Sequence, residues 1–275
     1  MVGPKLSWYA EEAQRLTSER KVFVHCWRGG MRSESLGWLL QMSGFEVHLL
    51  DGGYRAYRGY IRQQLALPAK LIVLGGLTGS GKSAVLKQLS IMGQQVLDLE
   101  TLANHKGSVF GGLGQQAQPT TEQFENNIYP VWEAFDLSKT IWVEDESRAI
   151  GSVNIPEVLF LSMMNSPIVV MEVPLEIRVE RLVKEYAGMS KEGLFDAIVR
   201  IKDSLGGMAT REALEALGNG EFHALARQVL VHYDRLYSKS LTRRIASVAY
   251  RLPIIVDDPI RNATALIQLN NTKCY

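Results

Sequence analysis

Two segments carry residues whose types and spacing could do chemistry. The first is Gly76-Leu77-Thr78-Gly79-Ser80-Gly81-Lys82-Ser83, which satisfies the pattern G-x-x-x-x-G-K-[ST] between an apolar run and a helical one. Glycines at this spacing let the backbone curl so that the N–H groups of residues such as Thr78, Gly79, Ser80 and Gly81 point at phosphate oxygens, and the following helix adds its positive end. Lys82 would reach the terminal phosphates, and Ser83 would ligate Mg²⁺ where a metal accompanies the ligand. An acidic strand end, Glu144-Asp145-Glu146, would put carboxylates beside that site, Glu144 first, to hold Mg²⁺ or polarise water. ATP, GTP and other diphosphates all fit this loop.

The second segment is Cys26-Trp27-Arg28-Gly29-Gly30-Met31-Arg32-Ser33. It places a thiol after a short β-branched run and directly before a helix. Loop N–H groups, the helix N-terminus and the side chains of Arg28 and Arg32 would all favour a thiolate and an anionic adduct on it, which makes Cys26 a candidate nucleophile.

Elements that could position these loops can be read along the chain. Residues 22–25 and 46–50 predict strands, 33–42 and 54–67 helices, and Pro68 closes this series, so residues 1–67 and 68–275 are predicted as separate domains. In the second domain, apolar runs at 71–74, 95–97, 140–143 and 167–173 predict strands alternating with helices at 82–91, 120–135 and 174–186. The predicted class is α/β, a parallel sheet of the P-loop NTPase kind with helices on both faces. A mostly helical stretch to residue 247, a strand at 253–256 and a helix at 259–269 complete it.

Composition narrows the function classes. The 275 residues are 46% hydrophobic and 21% charged, with 30 Lys and Arg against 29 Asp and Glu, which excludes a disordered or polybasic chain. Any nucleic-acid partner must then be held by a local basic patch. Cys26 and Cys274, the two cysteines, are too few for a disulfide framework or a zinc site. With no apolar run near the roughly 20 residues of a membrane span, and no signal-like N-terminus, the expectation is a soluble cytoplasmic protein without a membrane partner.

The spacing Cys26-x-x-Gly29-x-x-Arg32, followed by Gly44-Phe45-Glu46-Val47-x-x-Leu50-x-Gly52-Gly53, resembles the second half of a rhodanese domain, whose cysteine carries a persulfide or, in some members, selenium. Joined to a P-loop domain, this arrangement resembles the tRNA 2-selenouridine synthases. Further segments look like that family's signatures: His105-Lys106-Gly107-Ser108-x-Phe110-Gly111, Gln118-Pro119-x-x-x-x-Phe124-Glu125-Asn126, Glu144-x-Glu146-Ser147-Arg148-x-Ile150-Gly151 and Leu205-Gly206-Gly207. Only 25 residues precede Cys26, so the rhodanese-like part is read as partial, and a sheet without its first strands is expected to expose an apolar face and an unpaired edge.

The resemblance implies a transferase that replaces the sulfur of wobble 2-thiouridine in tRNA with selenium. The sulfur is first alkylated from geranyl diphosphate, and the S-geranyl group is then displaced by selenium from selenophosphate. It implies geranyl diphosphate on the P-loop, with His105, Lys106 and lid arginines Arg178 and Arg181 near it, and selenophosphate at Cys26, Arg28 and Arg32, with Cys26 able to hold selenium covalently. A tRNA surface is sought among Arg178, Arg181, Lys184, Arg200, Lys202, Arg211, Arg243 and Arg244. Tyr233, Tyr237, Trp132 and Trp142 are candidates for stacking bases or holding the geranyl chain, against the commoner fate of aromatic residues in a core. The P-loop alone would equally suit a small-molecule or nucleoside kinase with Asp98 and Glu100 on its acceptor. A module that holds diphosphate and tRNA without catalysis is the third reading.

Overall fold

A computed structural model describes residues 3–186 and 188–273. The chain divides into two units, the first ending at Gln64 and the second beginning at Leu65.

In the first unit, α1 (Gly3–Leu16), β1 (Lys21–Val24), α2 (Met31–Met42) and β2 (Glu46–Leu49) lead into α3 (Gly53–Leu65). Helix α1 has no counterpart in the sequence reading. Strands β1 and β2 pair in parallel, Lys21 opposite Glu46 and Val24 opposite Leu49. Val24, Leu40 and Phe45 form a small core, whereas Phe23 (77% exposed), Trp38 and Met42 stand in solvent. Two strands give too little sheet to cover both faces, so the expected exposed apolar residues are present.

The second unit runs β3 (Lys70–Gly76), α4 (Lys82–Ile91), β4 (Gln95–Leu97), α5 (Leu99–Ala103), α6 (Thr121–Glu133), β5 (Thr140–Glu144), the short hairpin β6 (Ala149–Ile150) and β7 (Val153–Asn154), α7 (Glu157–Met164), β8 (Ile168–Glu172) and α8 (Leu175–Tyr186). Helices α9 (Lys191–Arg200), α10 (Lys202–Leu205), α11 (Gly207–Asn219) and α12 (Phe222–Arg243) follow, then β9 (Val248–Pro253) and α13 (Pro259–Lys273). Its five-stranded sheet has the order β4-β5-β3-β8-β9, every pair parallel. Leu71 to Leu74 are buried, as a central parallel strand requires. Thr120 caps α6 by accepting from Gln123 N–H at 3.2 Å.

One core joins the sheet to α4 and α13 through Leu74, Leu86, Leu89 and Leu266; a second joins α8, α9, α11 and α12 through Leu182, Ile198, Leu217 and Val229. The last strand lies earlier than the predicted 253–256. It forms where β8 offers hydrogen bonds, from Val248 opposite Ile168 to Pro253 opposite Glu172, and α8 begins at Leu175, so Ile255 and Val256 have no strand to join and stay exposed. The strand order places β3 between β5 and β8, with its C-terminal end at the crevice where ligands bind in such sheets.

Candidate functional site

Residues 76–83 leave the end of β3 and enter α4 with Gly79 and Gly81 in the left-handed region, at φ of 76° and 79°. Lys82 Nζ donates to the Gly76 carbonyl at 3.0 Å, spanning the loop it closes. Ser83 Oγ lies 2.8 Å from Glu100 Oε2 and 2.9 Å from Glu144 Oε1, although a hydroxyl has one proton to give. Burial pushes the Glu144 carboxyl well above the usual carboxylate range, and Glu100 beside it raises it further; burial raises Glu100 as well. Glu146, also buried and near Glu100, is pushed up to about 8. A Cβ on Gly107 would sit 2.8 Å from both Glu146 carboxylate oxygens and 3.0 Å from Glu100 Oε1, so these two acids meet over that glycine. Of the predicted strand-end acids only Glu144 meets Ser83, where Glu100 joins it from α5; Glu146 lies beside Glu100, and Asp145 turns away.

The loop opens into a cavity of about 620 Å³ that also takes in Glu146, His105 and Lys106. Apolar side chains, among them Phe160, Met164, Leu182, Tyr186, Met189 and Leu236, line it too. Three of the sequence signatures meet here. Gln118 Nε2 donates to the carbonyls of Ala103 and Ile150, each at 3.0 Å, and its Oε1 accepts from Ser152 N–H and Oγ–H at 2.8 and 3.0 Å. That one amide ties three loops around His105, whose ring passes so near Gly151 that a Cβ there would lie 2.7 Å from Cδ2. Lys106 sits at the cavity with its ammonium 3.8 Å from Glu185.

Arg178 is turned inward instead of toward a phosphate. Its guanidinium is 4% exposed and grips Asp234 with two bonds of 2.7 and 2.8 Å, and it donates a third, of 3.3 Å, to the Thr78 carbonyl. It braces the loop from beneath. Removing it strands the Asp234 carboxylate, which is 29% exposed, so water softens the loss. Arg178→Ala is expected to lower unfolding stability by about 3 kcal/mol, near the lower end for broken buried pairs; chemical denaturation of wild type and variant measures it. Arg181 pairs with Asp257 and lies over the start of α4, where a Cβ on Gly81 would be 2.5 Å from its Nη1.

Arg244 and Tyr237 are also committed internally. Tyr237 Oη accepts from Gly76 N–H at 2.9 Å and donates to Asp145 at 3.0 Å, while Arg244 pairs with the same carboxylate at 2.5 Å and donates to the Met163 carbonyl. Trp132 and Trp142 are core residues, which removes them as stacking platforms. Tyr233 accepts from Val109 N–H at 3.1 Å. Asp98 spends both oxygens on Thr101, capping α5. Of the proposed basic patch, Lys184, Arg200, Lys202 and Arg211 are exposed. The Arg243 side chain and Cys274 lie outside the described residues.

In the first unit, Cys26 follows β1 and faces the start of α2. Ser33 Oγ lies 3.3 Å from the sulfur and Gly30 N–H donates to it at 3.4 Å. These bonds, Ser33 first, lower the Cys26 pKa to about 6. Arg28 and Arg32 are exposed, and the bonding group that the sequence reading missed is Ser33, seven residues after the cysteine in the first turn of the helix. The loop is clasped by Gly52-Gly53: Tyr54 N–H donates to the Cys26 carbonyl at 2.9 Å, and a Cβ on Gly29, at φ 67°, would be 2.5 Å from the Gly53 nitrogen. With a thiol near 6, the rate of alkylation by a neutral electrophile is expected to fall tenfold per pH unit below about 6 and to level off above about 7. Ser33→Ala removes the main cause, so its inflection is expected to move up toward the ordinary thiol range of about 8.5; iodoacetamide trapping of Cys26 across pH measures both.

Comparison with known proteins bears on this pair of loops. The family model described as "tRNA 2-selenouridine synthase AAA domain" matches residues 69–252. The tRNA 2-selenouridine synthase of Cupriavidus pinatubonensis is 31% identical, covering 91% of this chain and 78% of that protein. That of Sulfurovum sp. is 31% identical, with 86% and 72% covered. That of Psychromonas ingrahamii is 36% identical over 62% of this chain. The match holds the phosphate loop, the acids beside it and the His105 and Gln118 segments, and the longer alignments extend beyond it, so the chain belongs to the tRNA 2-selenouridine synthase family.

Proposed function

We propose that this chain is a tRNA-modifying transferase that first alkylates the sulfur of wobble 2-thiouridine with a geranyl group and then exchanges the S-geranyl group for selenium. The carrying observation is the cavity, in which a phosphate-binding loop and an apolar wall share one hollow, the two halves of what a prenyl diphosphate presents. Loop N–H groups and Lys82 hold the diphosphate and stabilise its charge as it leaves. Side chains such as Leu182 and Met164 shield the chain from water. A nucleoside kinase acceptor would find Asp98 already capping α5 and Glu100 bonded to Ser83.

Mg²⁺ fits the donors present. The Ser83 hydroxyl oxygen, the buried Glu144 Oε2 that bonds to no protein group, and surplus acidity around Lys82 are what a hard cation relieves. No group of three or more His, Cys, Asp or Glu among the described residues has metal-holding geometry, and Mg²⁺ beside a diphosphate takes most of its ligands from phosphate and water. Ser83 and Glu144 would hold it, where it would offset the charge of the diphosphate.

Selenophosphate is assigned to the Cys26 loop, where exposed Arg28 and Arg32 supply positive charge for an anion. Selenium in this donor is already at the selenide level, so a Cys–selenium adduct would need an oxidant. Attack of the thiolate at phosphorus needs none: a sulfur–phosphorus bond forms as the phosphorus–selenium bond breaks, selenide leaves to displace geranylthiol from C2, and water then cleaves the sulfur–phosphorus bond, releasing phosphate and restoring the thiol. Exposed Lys184, Arg200, Lys202 and Arg211 are candidates for phosphate contacts with the tRNA. No helix of the described residues is long and apolar enough to cross a membrane.

The test is incubation with 2-thiouridine-containing tRNA and geranyl diphosphate, then selenophosphate, with nucleosides identified by mass spectrometry after each step. S-geranyl-2-thiouridine followed by 2-selenouridine is the expected result; unchanged 2-thiouridine with both donors present overturns the reading.

A further inference from the structure

The alkylation has a proton to place. Geranyl transfer breaks the bond between C1 of the chain and the diphosphate oxygen, whose electron pair leaves with diphosphate, and forms a bond between C1 and the thiocarbonyl sulfur. The neutral S-alkyl product has a C2=N3 double bond, so the proton on N3 must go to an acceptor. Its removal also shifts charge onto sulfur and makes the sulfur the better nucleophile. A group in the cavity that accepts this proton would therefore act in the alkylation step itself.

The groups around the cavity can be taken in turn. Glu100 and Glu144 are bonded to Ser83, and Glu146, which packs against Glu100 over Gly107 and is pushed up to about 8, keeps its own proton at neutral pH. Asp145 is held by Tyr237 and Arg244, and Asp98 by Thr101. Lys106 is a cation paired to Glu185. His105 is different. Burial lowers its pKa, Nδ1 is sealed from solvent without a partner, and among the described residues no side chain or backbone group hydrogen-bonds to the ring. His105 lines the cavity, and Nε2 is its other ring nitrogen. The ring is nevertheless held in place, by Gly151 on one edge, by Gly112, whose Cβ would lie 3.5 Å from Cδ2, and by the Gln118 amide that fixes the loops around it. Such care in placing an imidazole that bonds to nothing in the protein points to a substrate contact.

We infer that His105 is the general base of the alkylation, taking the N3 proton of 2-thiouridine while its sulfur attacks the geranyl carbon. This rests on the geranyl reading of the cavity. The wobble base is in a single-stranded loop and can be splayed into such a pocket without breaking a pair. After transfer the imidazolium releases its proton to water once the product leaves.

The experiment compares wild type with His105→Ala and His105→Gln in single-turnover geranylation of 2-thiouridine tRNA, with geranyl diphosphate affinity measured separately. Loss of a general base is expected to lower the rate constant about 10²- to 10⁴-fold, with geranyl diphosphate affinity within about twofold. Added imidazole is expected to restore a measurable part of the His105→Ala rate, which it would not do for a side chain that only supports the loop. A rate within threefold of wild type in both variants overturns the inference, and so does a loss that imidazole leaves unchanged in a folded His105→Ala protein. If His105→Ala does not fold, His105→Gln decides alone: a loss of 10²-fold or more at unchanged affinity supports the base, and a smaller one overturns it. A wild type that makes no S-geranyl product overturns the geranyl reading first and the inference with it.

Discussion

Cys26→Ser is expected to abolish selenium transfer while leaving geranylation at the wild-type rate. The hydroxyl that replaces the thiol remains protonated at neutral pH, so the bonds from Ser33 and Gly30 that hold a thiolate with a pKa of about 6 have no anion to stabilise. The nucleophile is lost outright, and the expected decrease exceeds about 10⁴-fold, to the limit of detection for 2-selenouridine. Geranylation is expected to be spared, because the phosphate loop, its acids and the cavity belong to the second unit. The clean assay supplies pre-geranylated tRNA and selenophosphate, then 2-thiouridine tRNA and geranyl diphosphate in a separate reaction. Loss of geranylation with selenation intact would reverse the assignment of the two donors.

Lys82→Ala is expected to give the complementary result. The ammonium now bonds to the Gly76 carbonyl 3.0 Å away, inside the loop where the diphosphate would lie. Geranyl diphosphate would gain a charge-assisted contact there that strengthens as diphosphate departs with its full charge. Its removal is expected to lower the single-turnover geranylation rate about 10²- to 10³-fold, in the range seen for deleting one donor to a developing anion, and to weaken binding of inorganic diphosphate. Selenation of pre-geranylated tRNA should persist. Calorimetry with diphosphate and the same nucleoside analysis check both; tight diphosphate binding by the variant would remove Lys82 from the site.

The two expected outcomes together would separate an alkylating loop from a selenium loop, which the kinase alternative would not reproduce. They also show how differently the two loops were written in the chain. Residues 76–83 are legible because a continuous local segment makes the cradle: the glycines, the lysine and the helix start follow one another, and few long-range contacts are needed to shape it. The Cys26 loop was legible as one that favours a thiolate, but for an incomplete reason. The flanking arginines are conspicuous in sequence, yet the group bonding to sulfur is Ser33, brought under it by the first turn of α2. Only Gly52 and Gly53, more than twenty residues on, close the loop by admitting backbone against backbone.

Charge was the least reliable sign to read. Arg178 and Arg244 look like phosphate or tRNA contacts when written in a line, because nothing in their neighbourhood reveals Asp234 or Asp145. Those partners lie 56 and 99 residues away and are met only when α12 packs along α8 and the sheet. Glu100 joins Ser83 and Glu144 for the same reason: three different strand and helix ends converge at the C-terminal edge of a parallel sheet.

The sequence by itself determined the α/β class, the phosphate loop and the family, and singled out Cys26 as a candidate nucleophile, since each is carried by local spacing or by alternation of apolar runs. The tertiary structure decided which charges are partners of each other and which remain for a substrate. A carboxylate or guanidinium far from water is stable only beside its counter-charge, and the counter-charge is chosen by packing between segments distant in the chain. His105 is a residue that this sorting leaves over among the described ones, placed by Gln118 and Gly151 and bonded to neither.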